Sequence, residues 1–205
     1  MSQISIAIVD YGAGNLRSVE KALEHLGHKP QITSNPKDVL NAPAVIFPGQ
    51  GIAGPCMQNL AASGLLDALK ERAVENKPIF GVCLGLQLLL SWTEEGSQDC
   101  LDVIAGKNIR FPQKAKVPHM GWNAVSQTNN HPLFKDVDDR AQFYFVHSYY
   151  AVPYDKSVVI GKTEYQVDFA SVIAKGKLAA TQFHPEKSGV QGLQLYSNFL
   201  EYAID

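Results

Sequence analysis

Cys83 sits in Gly81-Val82-Cys83-Leu84-Gly85, a glycine two residues to either side of a nucleophile. That spacing lets a strand reverse into a helix through a turn too tight for side chains at the flanking positions, and it thrusts the middle side chain outward. The flanks agree. Ile79-Phe80 follows the turn signal Asn76-Lys77-Pro78, and Leu84 to Leu90 is rich in helix formers, with the helix expected to run to about Trp92. Such a helix points free N–H groups at the sulfur, which favours a thiolate and an adjacent anion. The plain alternative is a buried, inert cysteine in a βα turn.

A thiol nucleophile needs a histidine to move its proton and an acceptor to orient that histidine. Of six histidines, His25 and His28 flank the end of the first helix and read as solvated, His131 precedes Pro132 at a turn, and His119 and His147 lie on or beside strands. His184 stands apart. It ends the strand-like Leu178–Phe183 and precedes Pro185-Glu186, so proline sets the turn and Glu186 can face the imidazole. Cys83, His184 and Glu186 are therefore the candidate catalytic residues. A second segment, Pro48-Gly49-Gln50-Gly51-Ile52-Ala53-Gly54-Pro55, follows the strand Ala44–Phe47 and can turn backbone N–H groups toward an oxyanion.

The elements that must position these groups begin with a strand over Ile4–Val9. A turn at Tyr11–Asn15, a helix over Leu16–Leu26 and a short strand near Pro30–Thr33 follow. Gly12 and Gly14 lack the third glycine of a dinucleotide loop, Arg17 standing in its place. After Ala44–Phe47 comes a helix over Ser63–Glu75, then the elbow. This strand–helix alternation predicts an α/β fold with a mostly parallel open sheet and helices on both faces. From about residue 100 the segments Lys107–Phe111, Trp122–Val125, Gln142–Val152, Val158–Tyr165, Phe169–Ala174 and Lys177–Phe183 read as additional antiparallel strands, with a hairpin at Lys175-Gly176. A helix over Gly189–Tyr202 closes the chain. Residues 1–205 read as one domain.

Composition narrows the classes. A net charge of −2 over 205 residues gives no electrostatic reason to expect nucleic acid or an anionic membrane. No apolar run reaches transmembrane length, and the N-terminal run reads as a strand rather than a signal segment. Three cysteines without CxxC spacing support neither disulfides nor zinc, so no metal and no cofactor are expected, and a reducing, cytoplasmic setting fits.

With the elbow and His184-Pro185-Glu186 together, the chain resembles the class I, triad-type glutamine amidotransferases. Within them it is most similar to the glutaminase subunits of imidazole glycerol phosphate synthases. The likeness spans nearly the whole chain through Asp10–Leu16, Pro48–Gly51, Pro118–Asn123, Phe143–Tyr149 and Gln182–Ser188. The glutaminases of pyridoxal phosphate synthases are less similar, since their Gly-Gly-Glu-Ser-Thr segment is absent. One departure from the histidine-pathway pattern is Gln50, where valine is usual.

The resemblance implies hydrolysis of L-glutamine to glutamate and ammonia by a Cys83–His184–Glu186 triad. It implies an oxyanion hole from the backbone of Leu84 and of Gln50 or Gly51, and substrate contacts at Gly49, Gln87, His147, Ser148 and Tyr149. It further implies a heterodimer with a (β/α)8-barrel cyclase, whose lyase reaction uses the ammonia to make imidazole glycerol phosphate and an aminoimidazole carboxamide ribotide. Candidate contacts with that cyclase are Asn15, Trp122, Tyr144 and Lys187. Two other readings keep the same fold: a stand-alone cysteine hydrolase acting on peptides or γ-glutamyl compounds, and a non-catalytic binding domain.

Overall fold

The computed structural model describes residues 3–204, so Met1, Ser2 and Asp205 of the expected domain lie outside the described residues. In chain order the elements are β1 (Ser5–Val9), α1 (Leu16–His25), β2 (Lys29–Thr33), α2 (Pro36–Asn41), β3 (Ala44–Gly49), α3 (Ala53–Ala62), α4 (Leu65–Val74), β4 (Ile79–Cys83), α5 (Leu84–Leu88), β5 (Leu90–Thr93), β6 (Gln98–Asp99) and β7 (Ile104–Arg110). There follow β8 (His119–Ala124), β9 (Ser126–Gln127), β10 (Gln142–His147), β11 (Tyr149–Pro153), β12 (Val159–Glu164), β13 (Asp168–Lys175), β14 (Leu178–Thr181) and α6 (Gly189–Ile204).

The main sheet runs β2-β1-β3-β4-β14-β13-β11-β7-β5-β6, with β12 paired to β13 and β9 to the outer side of β12. β2, β1, β3, β4 and β14 are parallel, so the expected antiparallel Lys177–Phe183 segment contributes a fifth parallel strand while forming a hairpin with β13. β5 also pairs parallel to β7.

The apolar runs of the parallel strands serve two cores at once, because alternate residues point to opposite faces. Ile6, Ile8, Ala44, Ile46, Phe80 and Val82 pack with Val19 and Leu23 of α1 and with Leu195, Tyr196 and Phe199 of α6. Ala7, Val9, Val45, Phe47 and Ile79 pack with Val39 of α2, Met57 and Leu60 of α3, and Leu65 and Leu69 of α4. Phe80 lies 5.3 Å from the Tyr196 ring and 5.0 Å from the Phe199 ring. Burying such a ring stabilises the fold by about 1.5–3 kcal/mol.

Three expectations are corrected. The helix after the elbow ends at Leu88 instead of near Trp92. Its carbonyls are taken from outside: Leu101 N–H donates to Leu88, Val103 N–H to Leu89, and Asn108 Nδ2 to Gln87. All five residues of α5 are buried, so no polar face marked its true length. The expected strand Gln142–Val152 breaks at Ser148, where the chain leaves the two-stranded β8–β10 ribbon for the main sheet. His28, expected in solvent, is buried, and burial lowers its pKa.

Candidate active site

The elbow conformation follows from its glycines. Cys83 has φ 55° and ψ −107°, a strained backbone for a residue with a Cβ. A Cβ on Gly85 would overlap the Phe47 carbonyl oxygen, and one on Gly81 would lie 2.9 Å from both Ala180 Cβ and Leu89 Cδ1. Only glycine allows α5 to sit this close to β3, and that approach sets the thiol at the C-terminal edge of the parallel strands.

His184 follows the end of β14, the strand paired with β4, so the sheet itself brings base and nucleophile together. Its Nδ1 lies 2.8 Å from Glu186 Oε1, and the two side chains are only 3% and 2% exposed. Tyr196 OH approaches the other carboxylate oxygen at 3.5 Å. The opposite ring nitrogen, Nε2, is buried without a hydrogen-bond partner among the described residues. Burial pulls the imidazole pKa down. The charge of Cys83, the approach of its sulfur, and the hydrogen bond and charge of Glu186 together outweigh it and hold the pKa up at about 10. Cys83 thus faces His184 closely enough to favour its protonated form, while Nε2 makes no well-formed hydrogen bond and can take or give a proton.

Around the thiol lies a cavity of about 290 Å³, lined by Gln50, Gly51, Cys83, Leu84, Gln87, Glu95, Pro118, Val146, His147, Ser148, Tyr149 and His184. Nine of the residues expected from sequence meet there. Glu186 stands behind His184, and Gly49 is not among the lining residues. A larger cavity, about 640 Å³, opens at the far end of the parallel strands among Lys70, Lys77, Asp102 and Lys175, but it has no nucleophile beside a base.

Polar contacts order the smaller cavity. Gln87 Nε2 donates to the Tyr149 carbonyl and to Gln182 Oε1, both at 3.0 Å. Its own Oε1 has no partner among the described residues. Gln182 Nε2 lies 3.8 Å from Cys83 Sγ. The Gln50 carbonyl accepts from the Cys56 thiol at 3.9 Å, so the Gly51 N–H of the same planar peptide points away from Cys56. Tyr11 OH donates to the Pro48 carbonyl at 2.9 Å and anchors the base of that loop. Helix α3 already begins at Ala53, which shortens the expected loop, and Glu95 Oε2 accepts from the Ala53 N–H at 2.8 Å. Sequence reasoning missed the parts played by Tyr11, Cys56, Glu95 and Gln182. Of these only Gln182, two residues before His184, lay where a search around the base would have found it.

The β8–β10 ribbon has two faces. Met120 and Trp122 are 62% and 58% exposed, and the half-buried Tyr144 pairs with Trp122, their rings 6.2 Å apart. Lys187 Nζ lies 6.0 Å from the Tyr144 ring centroid. Three of the four expected interface residues therefore share one rim. Asn15 stands at the N-terminus of α1, a helix that packs against the Pro185–Lys187 turn.

A parallel α/β sheet carrying a cysteine elbow, with a histidine–glutamate pair at the end of the neighbouring strand, defines a class of glutamine-dependent enzyme. The family model "Glutamine amidotransferase class-I" matches residues 7–202, and the chain belongs to that family. Its curated relatives include the protein named imidazole glycerol phosphate synthase subunit HisH from Dehalococcoides mccartyi strain CBDB1, 48% identical over 97% of this chain and 98% of that protein. The protein of the same name from Moorella thermoacetica is 49% identical over 96% of this chain and 94% of its own. Among solved structures, a glutamine amidotransferase superposes with a TM-score of 0.76 at 20% identity, covering 96% of this chain and 98% of that one. PurLQS from Thermotoga maritima gives 0.76 at 17% identity, covering 98% and 99%. These two show the shared fold. Among the described residues no helix is long and apolar enough to cross a membrane.

Proposed function

We propose that the chain is a glutaminase subunit of imidazole glycerol phosphate synthase, acting as one domain in the cytoplasm beside a (β/α)8-barrel cyclase. The observation that carries this is Cys83 at a strained elbow facing the unpartnered Nε2 of a histidine bound to a buried glutamate. The curated relatives that bear the subunit's name support it over almost the full length.

In this reading the Cys83 thiolate attacks the side-chain amide carbon of glutamine and forms a C–S bond. The C–N bond breaks as His184 Nε2 gives its proton to the leaving nitrogen, which departs as ammonia. Water then adds to the thioester, His184 takes its proton, and the C–S bond breaks to release glutamate. Glu186 holds Nδ1–H and keeps Nε2 aimed at the reacting atoms. The oxyanion is met by the N–H of Leu84 and that of Gly51, the latter turned by the hold of Cys56 on the Gln50 carbonyl. Gln87 Oε1 and the Glu95 carboxylate are acceptors suited to the α-ammonium group. Ser148 and the backbone near Gly49 and Tyr149 complete the pocket, whose volume suits one amino acid. Ammonia passes to the cyclase across the rim formed by Trp122, Tyr144 and Lys187, with Asn15 nearby.

The test is glutamate release by the purified chain alone, with the cyclase, and with the cyclase plus its nucleotide ligand. Low turnover alone and strong stimulation in the full mixture are expected. Full activity of the isolated chain, or turnover of γ-glutamyl peptides without any cyclase association, overturns the subunit reading.

A further inference from the structure

The inner face of the β8–β10 ribbon carries a directed chain of hydrogen bonds that ends in the pocket. His147 Nδ1 lies 2.8 Å from the Tyr149 carbonyl, which can only accept, so Nδ1 carries the hydrogen. His147 Nε2 is 3.0 Å from His119 Nδ1. In a neutral His147 that Nε2 is an acceptor, so His119 Nδ1 must also carry a hydrogen. His119 Nε2 is then an acceptor, and Asn123 Nδ2 faces it at 3.3 Å. The orientation of that amide is set independently, since Asn123 Nδ2 donates to the Glu164 carbonyl and Asn123 Oδ1 accepts from the Ala124 N–H. Both ends of the chain thus demand the same two tautomers. Burial keeps both imidazoles neutral, lowering His147 to about 3 and His119 to about 4.

We propose that His119 is a positioning residue for the glutamine pocket: through its Nδ1–H it fixes the tautomer and tilt of His147, and with them the Tyr149 carbonyl on which Gln87 is aligned. His119 itself does not line the pocket. Its ring is held between Phe145, at 4.9 Å and 28°, and Tyr165, at 4.0 Å and 21°. Stacked on both sides, it cannot turn to offer the other nitrogen. The carbonyl it governs accepts from both His147 and Gln87, and Gln87 meets Gln182, whose amide lies against the Cys83 sulfur. A donor on the ribbon is therefore linked to Gln87 by three consecutive contacts and to the Cys83 sulfur by five. The inference rests on the pocket being the glutamine site.

Two variants separate positioning from packing. His119→Phe keeps the stack and loses the donor. His119→Asn loses the stack and keeps an N–H near the position of Nδ1. In the complex with cyclase and its ligand, His119→Phe is expected to raise KM for glutamine about tenfold, the loss of roughly one aligned hydrogen bond. Its kcat should change less than its KM, and His119→Asn should restore KM to within about threefold of the parent. Nitrogen-15 NMR of the unmodified protein, labelled at histidine, should find both His119 and His147 as Nδ1–H tautomers. A parental KM in His119→Phe with impairment in His119→Asn would mean packing alone and overturn the proposal, as would His147 in the Nε2–H form. If the parent complex turns over no glutamine, the pocket assignment itself has failed. Parental turnover with an unaffected His119→Phe fails only the positioning role.

Discussion

The two ends of the parallel strands both bury a charged side chain, and they treat it in opposite ways. At the N-terminal end Arg72 of α4 is fully buried, and its terminal nitrogens donate to the carbonyls of Val39, Leu40, Ala42 and Pro78. Burial lowers the guanidinium to about 10, still charged at neutral pH, and only Nε lacks a partner. At the C-terminal end the His184 imidazole is bonded on one side only, Gln87 lines the cavity with its Oε1 unpartnered among the described residues, and Cys83 sits on a strained backbone. The larger cavity is at the Arg72 end, yet the proposed chemistry is at the other. What separates a site from a structural tie is the polar valence left open, more than cavity size.

The sharpest way to break this comparison is to remove the thiol. Cys83→Ala should lower glutamine turnover at least about a thousandfold while leaving the thermal unfolding midpoint nearly unchanged. Cys83→Gly should be equally inactive but more stable than Cys83→Ala by about 1 kcal/mol, because glycine relaxes the φ of 55°. Equal stabilities would show that the elbow stores no strain. At the opposite end Arg72→Met should reverse the pattern. It leaves the Val39 and Ala42 carbonyls without a donor, while Pro78 keeps the Val45 N–H and Leu40 keeps Lys77 Nζ, and should cost about 3 kcal/mol of stability in urea denaturation. The kcat of the folded fraction should stay within about twofold of the parent, and a large fall in kcat would mean that the two ends are not independent.

The same contrast explains what could be read from the chain. Gly81, Cys83, Gly85 and His184-Pro185-Glu186 were legible because a tight turn and an oriented base each need particular residue types at short spacing. The doubly wound half was legible from its strand–helix alternation, although α2 was missed despite the Asn35 cap on Lys37 N–H and Pro36 at its first position. Arg72 and Cys56 were not legible. Their partners are backbone carbonyls set by the fold, and a carbonyl leaves no mark in residue type. The length of α5 failed for a related reason, since what ends it is the later segment 101–108 taking its carbonyls.

Exposed apolar side chains extend the comparison to the surface. Val74 is 87% exposed beside the larger cavity, and Trp122 is 58% exposed on the ribbon rim near the reactive end. If only the reactive end meets a partner, Trp122→Ala should weaken cyclase binding about thirtyfold, as loss of an aromatic anchor does. Val74→Ala should change it less than about twofold. Isothermal titration with the cyclase decides, and comparable losses from both variants would place the docking surface elsewhere.

The smallest effect concerns protons. In the unfolded chain His119 and His147 bind protons below about pH 6.5, whereas in the folded chain burial delays this to about 4 and about 3. Between those limits the unfolded state holds more protons, so stability falls as pH falls. His28 and His131, also lowered by burial, act in the same direction. His184 behaves oppositely. Its pKa is held at about 10, so its contribution is fully present below about pH 6.5 and is lost as pH rises through about 10. The acid limb therefore reports the ribbon and core histidines, and the alkaline limb reports the reactive end. His119→Phe should reduce the acid slope of unfolding free energy by about one proton and leave the alkaline slope intact. Denaturation curves from about pH 4.5 to about 9, inside the range these shifts span, sample both limbs. An unchanged acid slope would mean that His119 takes up its proton in the folded chain, against its burial and the Asn123 Nδ2 donor that faces its Nε2.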